Sequence, residues 1–313
     1  MKRTNTRFLK PEEPCPCWSG KALRDCCLLQ GVHLRTAVPA VIPPPPATGH
    51  QQAGCYLFTT SDCSTDLSNE HYLSKSVLES LGNKVMVAGA PWLPAGEQRE
   101  ISIKGLTAKI LCRRHNSALS PLDAMAGAFF AHLCGPVLGE PGRKSLSRKG
   151  SLRLFSGEAL ELWMLKTACG LFHSRMAARA GVGLADDHVI NQELVEAALL
   201  RHSWQPDCGL YFRAIRGHRF VVSSSVAMAP LSVLSENRVV GVGLTLAGLE
   251  FHLVFDPIGV NPTQLTKEGW LRRPTELHFQ FRRGSHSIGL TWPPGSPVRS
   301  VRIVQGPNLQ TAG

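Results

Sequence analysis

Four cysteines crowd positions 15 to 27 of this chain, in the run Pro14-Cys15-Pro16-Cys17-Trp18-Ser19-Gly20-Lys21-Ala22-Leu23-Arg24-Asp25-Cys26-Cys27. So short a segment has almost no apolar core, so hydrophobic burial alone does not hold it folded. Four thiolates about 2.3 Å from a zinc ion make a tetrahedral site, and metal binding then becomes folding energy. Lys21 and Arg24 offset the double negative charge of such a centre. The spacing therefore predicts a small zinc knuckle. Of ten cysteines in all, Cys134, Cys169 and Cys208 stand singly in apolar or mixed surroundings and read as small buried hydrophobes.

The compartment decides what thiols are for. No apolar block follows the basic residues at the N-terminus, so no export signal is expected, and the reading is cytoplasmic and reducing. A hydrophobic fraction of 43% supports a core and excludes a chain disordered throughout. No apolar run approaches the roughly 18 residues of a bilayer crossing, so no membrane partner is expected. Lys and Arg exceed Asp and Glu by 34 to 23, a formal charge of +11 that suits a polyanion.

The 313 residues have room for two domains or one with attached modules. Residues 1–35 form the Cys-rich head. Residues 36–50 contain Pro43-Pro44-Pro45-Pro46, an extended spacer expected to hold the head away from the remainder. Residues 51–139 carry paired Cys and His residues at both ends. A basic linker follows over 140–155, with Arg143, Lys144, Arg148, Lys149 and Arg153, and 156–313 reads as an α+β domain of unknown role. There Ser156 caps a helix through Leu160, Trp163, Met164, Ala168 and Leu171, and a second helix is expected from Val189 to Leu200. Period-two patterns mark strands over Arg238–Leu246, Glu250–Phe255, Glu276–Phe281 and Ser285–Trp292. The fold class is α+β, with a helical segment and an antiparallel sheet at the C-terminal end.

The head resembles the SEC-C motif over residues 14 to 28, in cysteine number, in spacing and in its Ser-Gly-Lys core. Trp18 departs from the family's usual glycine, at a turn that favours positive φ. The resemblance implies zinc at Cys15, Cys17, Cys26 and Cys27, and a protein partner such as a chaperone or the ribosome.

In the middle region, Cys55 and Cys63 with Cys112 and His115 offer four ligands for a second zinc ion. Ser120 reads as the N-cap of the helix that follows, Pro121 as its first residue, and Leu122, Met125, Ala126, Phe129, Phe130 and Leu133 as its buried face. With the Glu70-His71 doublet between the ligand pairs and Asn116 directly after His115, the stretch resembles an HNH endonuclease, a ββα-metal fold. That resemblance implies His71 as the general base, and Glu70 and Asn116 as ligands of Mg²⁺ or another divalent cation. Seven residues separate Cys55 from Cys63 where the family has two. The nearest counterpart of the family's middle Asn is Asn83, and residues 89–99 read as an insertion. His132, His173, His188, His202, His218, His252, His278 and His286 have no partner pattern and read as structural or solvent-facing.

Two functions follow as expectations. One is a metal-dependent HNH-type endonuclease hydrolysing DNA or RNA. The other is a non-catalytic, zinc-stabilised adaptor that binds protein or nucleic acid through its SEC-C-like head.

Overall fold

The computed structural model describes residues 9–31, 33–88, 93–94, 96–138, 151–174, 178–179, 182–183, 204–205, 207–213, 225–233, 238–257, 260–281 and 284–296. The basic run at 143–149, the helix expected at Val189–Leu200, part of the insertion at 89–99, His188, His202 and His218 lie outside them.

Helices and sheets are mixed, as an α+β chain requires. The strands are β1 (Leu28–Leu29), β2 (His33–Leu34), β3 (Leu67–His71), β4 (Lys84–Ala88), β5 (Gln98–Ser102), β6 (Thr107–Cys112), β7 (Ser151–Ser156) and β8 (Ala178–Arg179). Then come β9 (Val182–Gly183), β10 (Gly209–Arg213), β11 (Ser225–Val233), β12 (Arg238–Leu246), β13 (Leu249–Val254), β14 (Trp270–Arg272), β15 (Glu276–Phe281) and β16 (Gly284–Thr291). The helices are α1 (Lys75–Glu79), α2 (Arg113–Leu138), α3 (Gly157–His173) and α4 (Pro262–Lys267).

The largest sheet has the order β14-β10-β13-β12-β11-β4-β5. Its pairings are antiparallel except β11 with β4, which run parallel, Val226 opposite Val87. The hairpin of residues 84–102 thus joins strands from the C-terminal half. A second sheet, β15-β16-β7, pairs β7 parallel to β16. A third is the antiparallel pair β3 and β6, followed directly by α2.

Helix α3 runs through the centre. Ser156 caps it by accepting a hydrogen bond from Ala159 N at 3.1 Å, as the sequence implies. Apart from Glu158, every residue from Gly157 to Leu171 is buried, so the helix is covered all round. Trp163 meets Phe130 of α2, which in turn meets Phe251 of β13, tying the layers into one core.

Helix α2 differs from expectation at its start. It begins at Arg113, seven residues before the expected cap Ser120. Pro121 has no N–H to give the Ser117 carbonyl four residues earlier, and Ser120 Oγ donates to that carbonyl instead, at 2.8 Å. The hydroxyl replaces the missing bond and the helix runs on. Its buried face is the expected one, with Leu122, Ala126, Phe129, Phe130 and Leu133 buried and Met125 packed against them.

The spacer does not hold the head away. Cys15, Leu23 and Cys27 complete a small cluster only by adding Leu154 of β7. Leu154 N donates to Pro16 O at 3.1 Å, Thr36 N to Thr291 Oγ1 at 2.8 Å, and Arg35 pairs with Glu158 at 3.2 Å. Val41 is buried in the main core. A module with so little apolar surface borrows its core from the body. Among the described residues no helix is long and apolar enough to cross a membrane.

Candidate metal centres

Two donor sets converge. The Sγ atoms of Cys15, Cys17, Cys26 and Cys27 lie within 4.8 Å of one another, and so do those of Cys55, Cys63 and Cys112 with a ring nitrogen of His115. A tetrahedral ion bound to sulfur at about 2.3 Å and nitrogen at about 2.0 Å spaces its ligands roughly 3.5 to 3.8 Å apart. His115 Nδ1 stands 3.5 Å from Cys55 Sγ, 3.6 Å from Cys63 Sγ and 3.2 Å from Cys112 Sγ. In the head, Cys26 Sγ is 3.5 Å from Cys17 Sγ and 3.7 Å from Cys27 Sγ. Both sets fit a zinc ion in donor chemistry and in spacing.

The head site is built from two turns. Cys15 N donates to Lys21 O at 2.8 Å and Trp18 N to Cys15 O at 3.0 Å, closing the loop over the first two cysteines. A short 3-10 turn, Leu23–Asp25, delivers the last two. Trp18 has φ +67°, as the turn demands, although it carries a Cβ. Its indole rests on the Arg153 guanidinium, 4.1 Å from the ring centroid, and the edge of His132 lies nearby. Ser19 Oγ lies 3.0 Å from Cys26 Sγ.

At the second site a 3-10 turn, Phe58–Thr60, takes up the long interval between Cys55 and Cys63. Cys112 ends β6 and His115 follows in the first turn of α2, three residues on and so on the same face. Its N–H points at Cys112 Sγ from 3.4 Å, in the manner of a helix cap. Burial works against ionising Cys112, but the His115 N–H and Ser64 outweigh it and hold the thiol below its ordinary range. All four donors are buried.

Glu70, His71 and Asn116 are placed differently from one another. Glu70 is buried against α2 and α3, where the nearby Asn116 amide favours its charged form. Asn116 Nδ2 donates to Ser68 Oγ at 3.1 Å. His71, the next residue of the strand, is half-buried, meets the Ile103 backbone, and feels the charges of Lys75, Asp123 and Glu79. Its Nε2 is buried with no hydrogen-bond partner. Burial, with Lys75 adding to it, lowers the imidazole below the ordinary histidine range. Asn83 enters only through its backbone, its carbonyl accepting from Ile103 N at 3.4 Å.

Lys166 of α3 joins this cluster, although the motifs did not reveal it. Its ammonium donates to Glu70 Oε1 and, at 2.6 Å, to Asp123 Oδ2. Asp123 accepts from Ser74 Oγ, which itself accepts from Trp163 Nε1 at 2.7 Å. Burial pushes Glu70 above the ordinary carboxylate range, and the Lys166 charge opposes this without cancelling it. A lone cation in the apolar run Trp163-Met164-Leu165-Lys166-Thr167-Ala168 was the available signal, because a lysine buried on a core helix needs anions. Cys134, Cys169 and Cys208 are buried, as expected of structural thiols.

Comparison of the chain with protein-family models, with curated proteins and with solved structures finds no match in any of the three.

Proposed function

We propose that this chain is a zinc-stabilised, non-catalytic adaptor, with its SEC-C-like head as the recognition module and an HNH-like middle region kept as scaffold. One observation carries the reading. The Lys166 ammonium sits between Glu70 and Asp123, where the endonuclease reading needs a divalent cation among oxygen ligands. Lys166 cannot swing aside cheaply, because α3 is buried on every side. Zinc at Cys55, Cys63, Cys112 and His115 then has a folding role, as a closed four-ligand site does. The charge of +11 favours nucleic acid as what the adaptor holds, and such binding weakens steeply with salt.

The endonuclease remains as a second reading because His71 Nε2 has no hydrogen-bond partner and burial favours the neutral imidazole, the form in which a histidine can accept a proton. One experiment separates the two. Zinc-loaded protein and His71→Ala are assayed with Mg²⁺ or Mn²⁺ on single- and double-stranded DNA and RNA, beside calorimetric titration of each cation. The adaptor reading expects two zinc ions per chain, no Mg²⁺ or Mn²⁺ binding, no cleavage by either protein, and salt-sensitive binding of nucleic acid. Metal-dependent cleavage by wild type that His71→Ala loses would overturn it in favour of the enzyme.

A further inference from the structure

The two metal centres differ in what can reach them. Cys55, Cys63, Cys112 and His115 are all buried, whereas Cys17 and Cys26 are half-buried. A cleft of about 960 Å³ opens beside the head, and Cys17, Cys26 and Cys27 form part of its wall, with Ser19, Arg35 and Glu158. A small solute in this cleft meets sulfur directly. Cys17 and Cys26 Sγ are 3.5 Å apart, so they can join with little backbone movement.

We propose that Cys17 and Cys26 form a peroxide-sensitive modification site whose oxidation empties the N-terminal metal centre and frees the head from the body. Cys17 Sγ attacks one oxygen of a hydroperoxide, the O–O bond breaks, and hydroxide or alkoxide leaves, giving a sulfenic acid. Cys26 Sγ then attacks that sulfur, an S–S bond forms, the S–O bond breaks, and hydroxide leaves. Two solvent protons neutralise the two leaving groups. The sulfurs lose two electrons and the peroxide gains them.

With those two thiolates consumed, Cys15 and Cys27 supply only half of a tetrahedral set. The head has little else to hold it, since its core is Cys15, Leu23 and Cys27 against the borrowed Leu154. Losing the metal therefore undoes its fold and its contacts, including Trp18 on Arg153 and Arg35 on Glu158. The buried second centre keeps its donors.

The test uses the full zinc-loaded chain, titrated with hydrogen peroxide in the presence of a colorimetric zinc indicator, with peptide mass mapping and limited proteolysis at each dose. The expected result is release of roughly one zinc per chain, a Cys17–Cys26 linkage, and new cleavage confined to residues 9–35. The second ion should need about tenfold more peroxide. Cys26→His preserves a fourth donor but cannot close the bond, so its head zinc should persist at the dose that strips wild type. Equal release from both centres, release without the Cys17–Cys26 linkage, or unchanged release from a zinc-loaded Cys26→His protein would each overturn the proposal. Mass mapping of wild type decides even if Cys26→His fails to load. No readout involves nucleic acid, so failure here leaves the adaptor reading standing.

Discussion

Thr60 Oγ1 lies 3.1 Å from His115 Nε2 while donating its own proton to the Leu57 carbonyl at 2.7 Å. The hydroxyl can then only accept from the imidazole, which places the ring proton on Nε2 and leaves Nδ1 bare toward the three thiolates. Ligand orientation at the second centre therefore depends on a residue that is not a ligand. Thr60→Val, which keeps the shape and removes the oxygen, should weaken zinc binding there by about 10- to 100-fold. Competition with a chromophoric chelator reads this as one weakened and one unchanged ion per chain.

Lys166 supplies the counter-charge for two carboxylates. Lys166→Met leaves Glu70 buried without it and should cost about 3–5 kcal/mol in urea unfolding. Its pH dependence has a definite sign. Burial already raises Glu70 above its unfolded value, and loss of the ammonium raises it further. The folded state then binds the extra proton, so the variant loses stability as pH rises from the ordinary glutamate range, about 4.3, through the raised folded value. Unfolding midpoints at pH 5 and pH 8 check this, and a midpoint that improves at the higher pH would refute it.

Ser156 both ends β7 and caps α3. Ser156→Ala should cost about 1 kcal/mol by thermal or chemical unfolding, with zinc content unchanged.

Gly209 begins β10 at φ +120°, and an added Cβ would lie 2.4 Å from Glu161 Oε1. That carboxylate has no solvent exposure, accepts from Leu210 N at 2.9 Å, and receives Nε and Nη2 of Arg273 at 2.8 and 3.0 Å. Gly209→Ala therefore adds backbone strain to a disturbed buried ion pair and should cost more than about 2 kcal/mol. A variant unfolding at the wild-type urea midpoint would show that the pair tolerates displacement.

Much of this was legible in local pattern. Both sets of metal donors follow from residue type and spacing, because a zinc ion asks for little else. The Ser156 cap and the bounds of β12 and β15 agree with the expected helix start and with Arg238–Leu246 and Glu276–Phe281, since capping and alternation are short-range signals. What escaped depends on partners distant in sequence. Ser120-Pro121 has the local form of a helix start, and only the Cys112–His115 turn upstream shows that the helix is already under way. Glu70 looked free to hold a cation because Lys166 lies 96 residues further along. Nothing in residues 84–88 announces that they will pair with β11.

That parallel pairing sets an order of events during synthesis. When β4 and its hairpin partner β5 have left the ribosome, the strand that flanks β4 on its other side, Ser225–Val233, has not yet been translated. Until it arrives, the N-terminal portion carries an open strand edge able to recruit neighbouring nascent chains. Anyone producing only the portion with the two donor sets makes that transient edge permanent, so fragments ending before residue 225 should be handled as aggregation-prone species rather than as miniature versions of the whole protein.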